Sequence, residues 1–293
     1  MAGEFCGSKP VPDGRTSRTS WLLTRPTHNE GLTLRPMHKP VWAVEHFPVV
    51  DSTQSTARSR PAWSAVTADE QTAGRGQRER SFVSDPGGLY LTAVLPYEGD
   101  ALASRGFALV VGWAVRETLR RVGVVGLRLR WPNDLMVGSR KVGGILVEQA
   151  GLKTLLVGIG LNLSNEPWRL DPSLEKIAGR LGDAGGGRPL PDRHRLVELL
   201  LGAIRAAHEI FSRRQLAGMV PVLNRCWGRT RRVRLEILSG NGLTEIEGDF
   251  LGIGPTGCLL LRTPAGMRMA LPEHHINRLR EVEPGAINPT PLA

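Results

Sequence analysis

Three short apolar runs constrain what this chain can fold into more than anything else in it. They are Gly88–Leu95 (GLYLTAVL), Gly143–Glu148 (GGILVE) and Thr154–Leu161 (TLLVGIGL). Runs of this length, apolar on successive residues, suit strands covered on both faces. Trp63–Ala68 and Leu127–Trp131 (LRLRW) alternate and read as further strands. Helical spacing separates them. Asp100–Gly123 puts Phe107, Leu109, Val110, Trp113, Ala114 and Leu119 on one broad face, with Gly123 as its C′ stop. Leu174–Leu181 and Pro191–Arg214 read as helices, and Gln54–Arg60 as a short one opened by Asp51 or Ser52. Strands and helices thus share one α+β domain. From about Asn224 the character changes. Arg232–Leu238, Thr244–Ile253, Gly257–Arg262 and Met267–Leu271 are short, closely spaced strands with Gly-rich turns, as in a small β-barrel.

The length, 293 residues, fits two domains. Residues 1–40 are rich in Pro, Thr, Ser, Gly and Arg and lack apolar periodicity, so a disordered N-terminal extension is expected there. They show no pair of amphipathic helices of the helix-turn-helix kind. Residues 284–293 read as a flexible tail. No apolar run reaches the roughly 18–20 residues of a membrane span, and the start lacks a secretory apolar region. Cys6, Cys226 and Cys258 are widely spaced and odd in number, which points to a reducing, cytoplasmic compartment. The net charge of +10 raises nucleic acid as a partner. The basic residues are dispersed and mostly Arg, so composition explains the charge and nucleic acid is not the expected partner.

Polar clusters stand where the strands end. Asp51-Ser52-Thr53 precedes the short helix and reads locally as its cap. Gln71–Phe82 (QTAGRGQRERSF) links two strands. Gly74 and Gly76 allow close backbone approach, and Arg75, Arg78 and Arg80 offer planar forks for phosphate or carboxylate. Such a loop is either a solvated hairpin connection or a lid over an anion. Pro132-Asn133-Asp134 ends the LRLRW strand, a turn at Gly138-Ser139 precedes Arg140-Lys141, and Asn162 ends the last apolar run.

The order of these clusters resembles the biotin protein ligase family. The matching pieces are DST at 51–53, QTAGRG at 71–76, RWPNDL at 130–135, RKVGGILVE at 140–148 and VGIGLNL at 157–163. WPND followed by K-x-x-GIL is very specific, AGRG moderately so, and GIGLN weakly so. The resemblance covers roughly residues 43–280. It implies a mixed β-sheet flanked by helices over 41–222, the biotin/lipoate ligase catalytic fold, and an SH3-like β-barrel over 223–283. It implies a monofunctional ligase without an N-terminal DNA-binding domain. The implied reaction joins biotin to ATP, giving biotinyl-5′-AMP and pyrophosphate, and then transfers biotin to a lysine of a biotin carboxyl carrier protein or domain.

The same resemblance implies residue roles. Lys141 looks like the cation for carboxylate and α-phosphate, Arg75 a second catalytic cation, and Asp134 the Mg²⁺ ligand. Ser52, Thr53, Gln54, Gln71, Arg75, Gly76, Gln77 and Lys141 would hold biotin, with Gly143 and Gly144 beside its valeryl chain. Arg78, Arg80, Phe82, Asn133, Lys141 and Asn162 would hold the nucleotide, Phe82 standing where the family usually has tryptophan and stacking on adenine. Free edge strands imply that two subunits could pair as a homodimer. Two positions depart from the family loop, GRGRxGR: Gln77 replaces a common arginine and Glu79 a common glycine. Gln77 implies weaker retention of biotinyl-AMP, and Glu79 a pairing with a neighbouring arginine. The alternatives are a lipoate–protein ligase, a ligase that also represses transcription by binding DNA, and an inactive homologue. The RWPND wording and the C-terminal barrel favour biotin over lipoate.

Overall fold

The structure is a computed structural model that describes residues 20–23, 34–37, 41–99, 104, 106–184, 189–227, 231–239 and 242–282. Two short strands, β1 (Ser20–Leu23) and β2 (Leu34–Met37), pair antiparallel in a unit of their own, Met1–Val41. The rest of the 1–40 extension and the 284–293 tail lie outside the described residues.

The unit Trp42–Ala293 is built on a seven-stranded sheet. Its strands are β3 (Ala43–Val50), β4 (Ser64–Gln71), β5 (Gly88–Pro96), β6 (Leu127–Arg130), β7 (Asp134–Val137), β8 (Arg140–Gln149) and β9 (Thr154–Asn162). Their order is β3-β4-β5-β9-β8-β7-β6. Only β3 and β4 run parallel. The apolar runs of the sequence are β5, β9 and β8, adjacent at the centre. Every residue of β5 from Gly88 to Leu95 is buried, as a strand covered on both faces must be.

Two helices cover one face: α2 (Phe107–Arg121) and α3 (Arg193–Trp227). Phe107 and Phe211 meet with centroids 4.9 Å apart. The short helix α1 (Thr53–Ala57) covers part of the other face, where Ala57, Val66, Val94 and Leu156 form a second cluster. Helix α2 begins later than the sequence suggests, after the left-handed Gly106 (φ 77°), and stops at Gly123 (φ 93°) as expected. Helix α3 runs past Arg214. It kinks at Gln215 (φ 54°) and continues under the second sheet, where Trp227 packs edge-on to Phe250.

The expected helix over Leu174–Leu181 does not form. A single 3-10 turn at Pro172–Leu174 ends in a strap whose main chain is taken by β8. Lys141 N donates to Ile177 O (2.7 Å) and Gly179 N to Lys141 O (2.8 Å). Arg140 adds bonds to the carbonyls of Glu175 and Ala178. One i→i−4 bond survives, Ala178 N to Leu174 O (2.8 Å), and the bonds to β8 stand in for the rest of a helical ladder.

The C-terminal strands are β10 (Arg231–Ser239), β11 (Gly242–Ile253), β12 (Leu259–Arg262), β13 (Arg268–Leu271) and β14 (Ile276–Glu281). They form an antiparallel sheet in the order β13-β12-β11-β10-β14. The sheet fits an SH3-like domain, but its edges β13 and β14 do not pair among the described residues, so the expected barrel does not close. Among the described residues no helix is long and apolar enough to cross a membrane.

Candidate functional site

The segment after β3 that opens α1, the C-terminal end of β4 and the middle of β5, β8 and β9 converge on one cavity of about 780 Å³. Every residue expected at the site lines it except Gly143. A Cβ on Gly143 would lie 2.5 Å from Gly160 O, so that glycine serves strand packing against β9. Its neighbour Gly144 faces the cavity and leaves room for the stem of Lys141 (3.4 Å from a built Cβ to Cε and Nζ). Adjacent residues of a strand point to opposite faces, which separates the two.

One wall is a chain of neutral groups. Ser52 caps α1, its Oγ accepting from Gln54 N (3.2 Å). Thr53 N and Oγ1 both donate to Gln71 Oε1 (2.8 and 3.1 Å), and Gln71 Nε2 donates to Ser84 Oγ (2.8 Å). Thr92 Oγ1 is within reach of Thr53 Oγ1 (2.9 Å) and Gln54 Oε1 (3.1 Å). All are buried apart from Gln71, which is half-buried. The wall therefore offers uncharged donors and acceptors held in place by one another.

The opposite end is charged. Asp134 receives Lys141 Nζ on one oxygen (2.6 Å) and Arg130 on the other (2.6 and 3.0 Å). Burial pushes the Asp134 carboxyl up, but Lys141 and Arg130 outweigh it and hold the group below the usual carboxylate range. The carboxylate thus stays ionised at neutral pH and fixes the Lys141 side chain. Each of its oxygens is engaged by a cation, Lys141 on one and Arg130 on the other. No group of three His, Cys, Asp or Glu side chains suited to a metal occurs among the described residues. Asn133 ties its turn to β8, donating to Ile145 O (2.8 Å) while Ile145 N donates to Asn133 O (3.0 Å). Asn162 donates to Gly179 O (3.1 Å) and so holds the strap.

The Gly/Arg loop is a hairpin as well as a wall of the cavity. Gln71 N donates to Ser84 O, Phe82 N to Gly74 O and Gly76 N to Arg80 O. Gly74 is required, since a Cβ there would sit 2.3 Å from Phe82 O. Arg78 donates to the Glu273 carbonyl and Arg80 to the Asn277 carbonyl, both in the C-terminal segment around β14. Arg75 instead pairs with Glu148 (2.8 Å), which also holds Arg58. Glu79 pairs with no arginine among the described residues, so the expected stiffening contact is absent. The Phe82 ring lies against Gly160, where a Cβ would come within 2.7 Å, and meets Tyr90 edge-on. The two glycines of VGIGLN thus seat two side chains: Gly160 the Phe82 ring and Gly158 the Gln54 amide (2.7 Å from a built Cβ to Oε1).

Sequence reasoning passed over Thr92, Glu148, Arg130 and the β14 wall. Thr92 is the lone polar residue in the apolar run of β5, and Glu148 ends the apolar run of β8. Those were usable signals. Nothing local marks β14 as part of the site.

A profile of the Biotin/lipoate A/B protein ligase family matches residues 47–163. The chain is similar to the bifunctional ligase/repressor BirA of Escherichia coli, 36% identical over 235 residues, covering 75% of this chain and 69% of that protein. It is similar to the biotin--[acetyl-CoA-carboxylase] ligase of Paracoccus denitrificans, 33% identical over 223 residues, covering 72% and 88%. Among solved structures it resembles a biotin protein ligase from Aquifex aeolicus in complex with biotin and ATP. That match has a TM-score of 0.68 and 26% identity, and covers 82% of this chain and 99% of that one.

Proposed function

The chain belongs to the biotin protein ligase family, and on that premise we propose that its cavity binds biotin and ATP side by side. In this reading it forms biotinyl-5′-AMP with release of pyrophosphate. It then delivers the biotinyl group to a lysine of a biotin carboxyl carrier domain. The observation that carries the reading is the division of one cavity between a neutral amide–hydroxyl wall and the Lys141 cation.

The chemistry follows from that division. A cyclic urea needs neutral donors and acceptors, which the Thr53–Gln71–Thr92 wall supplies. A carboxylate and an α-phosphate repel each other, and a fixed cation between them lowers the barrier to their joining. In this reading Lys141 is that cation, and its contact with Asp134 sets its direction. The biotin carboxylate oxygen attacks the α-phosphorus and pyrophosphate leaves. The carrier amine then attacks the acyl carbon of the mixed anhydride and AMP leaves. The protein's part in the second step is positioning and exclusion of water. The loop Gln71–Phe82 and the Leu174–Leu181 strap are the segments suited to that exclusion. No step is routed through a metal held by the chain. A lipoyl ring, which has no urea, makes no use of the neutral wall, and this favours biotin over lipoate.

The test is incubation with ATP, Mg²⁺, biotin and a carrier domain, followed by mass measurement of the carrier. The expected result is a gain of one biotinyl group that depends on ATP, with no gain when lipoate replaces biotin. An unmodified carrier would overturn the reading.

A further inference from the structure

We propose that Asn165 is a positioning residue for the nucleotide, acting through Asn162 by fixing the one orientation in which that side-chain amide meets the ligand. This rests on the biotin and ATP reading above and adds a residue that itself touches no ligand.

Asn165 lies three residues past the end of β9, and both it and Asn162 are buried. Asn162 lines the cavity and Asn165 does not. Asn165 Oδ1 accepts from Leu163 N (3.1 Å), a bond that holds its own turn. Its Nδ2 donates outward, to Asp85 Oδ1 (2.7 Å) and to Asn162 Oδ1 (3.3 Å), and lies 3.5 Å from Tyr90 Oη. On the other side of the Asn162 amide, Nδ2 donates to Gly179 O (3.1 Å). The oxygen and nitrogen of such an amide differ little in size, so it can turn over unless its partners forbid it. Here they do. Turned over, Asn162 would set N–H against N–H at Asn165 and oxygen against oxygen at Gly179. The orientation held leaves the second N–H of Asn162 Nδ2, a donor suited to an acceptor atom of the nucleotide. Gly87 shapes the turn from the other side, with φ 96° and a built Cβ 3.2 Å from Asn165 N. The same amide supports the Phe82 side, since Tyr90 donates to Asp85 O (2.7 Å) and meets Phe82 edge-on. A residue kept only for its turn would need its oxygen alone. The donations of Asn165 run instead to a residue of the cavity and to the segment that follows Phe82.

The experiment measures biotin-dependent pyrophosphate release and thermal melting for Asn165→Asp, and for the exchange that combines Asp85→Asn with Asn165→Asp. Asn165→Asp keeps the acceptor for Leu163 N and loses both donations. It sets two carboxylates side by side, so the Tm is expected to fall, and its charge draws the Asn162 nitrogen over. The expected kinetic result is a rise of about tenfold in the KM for ATP, the scale of one lost hydrogen bond, with the KM for biotin unchanged and kcat within about twofold. The exchange restores an amide–carboxylate pair between the two positions, so the Tm is expected to recover. The KM for ATP is expected to stay raised, because no donor again faces Asn162 Oδ1. That split separates positioning from a purely structural role. The assignment would be overturned by an unchanged KM for ATP in Asn165→Asp, by an equal rise for biotin or by a larger fall in kcat. It would also be overturned by an exchange that returns the KM for ATP or that leaves the Tm low. Absence of biotin-dependent pyrophosphate release by the unsubstituted protein would instead overturn the reading on which the inference rests.

Discussion

Asp134 is the residue whose reading changed most. Its place at a strand end and its family wording marked it as important, and its neighbours decide how. With Lys141 and Arg130 on its two oxygens it acts as a holder of cations. The Arg130 partnership spans a turn, and sequence spacing does not show that the turn closes. The two adjacent glycines make a similar point. Gly143 and Gly144 were equivalent in the sequence, and only the pairing of β8 with β9 sets which one faces the cavity. Gln77, by contrast, lines the cavity as expected, in a loop whose cations are Arg75, Arg78 and Arg80. Gln77→Arg adds a fourth cation beside the proposed adenylate. Release of labelled biotinyl-AMP is expected to slow about tenfold, the scale of one charge-assisted hydrogen bond. An unchanged release rate would remove Gln77 from any role in retention.

At the scale of elements, the central strands were legible because β5, β8 and β9 are buried on both faces and leave an apolar run in the sequence. The strap was not. Its local pattern is helical, but the main chain of Lys141 recruits it, and long-range pairing overrides a weak local propensity. That recruitment couples the strap to the proposed catalytic cation. Gly179 is the weak point, since a Cβ there would lie 2.8 Å from Arg140 Cβ. Gly179→Val is expected to lift the strap. Hydrogen exchange at the Lys141 and Gly179 amides should quicken by about tenfold or more, as local opening becomes easier. Unaltered protection of both amides would show that the strap does not depend on that close approach.

Over the whole unit Trp42–Ala293, two sheets share the work. The C-terminal sheet was legible as a separate run of short strands, yet its role as a wall of the cavity was not, because Glu273 and Asn277 meet Arg78 and Arg80 from nearly two hundred residues away (|i−j| of 195 and 197). Arg128 on β6 helps to join the sheets, gripping both oxygens of Glu281 on β14 and the Gly138 carbonyl. Both side chains are less than one-fifth exposed. Arg128→Ala removes both contacts to the Glu281 carboxylate and the bonds to the Gly138 carbonyl, and should destabilise the protein by about 2 kcal/mol, within the range for breaking a partly buried pair. Urea unfolding measures it, and a loss under about 0.5 kcal/mol, as for an exposed pair, would mean that the sheets are held by other contacts.

The account as a whole depends on Lys141 as the cation at which carboxylate and α-phosphate meet. Lys141→Ala leaves Asp134 paired with Arg130, so the fold is expected to survive, as thermal melting would register. The decisive measurement is biotin-dependent pyrophosphate release by this variant beside the unsubstituted protein. The account predicts a fall of at least about a hundredfold, the scale of losing one preorganised charge at a reacting centre. Turnover equal to that of the unsubstituted protein would contradict it.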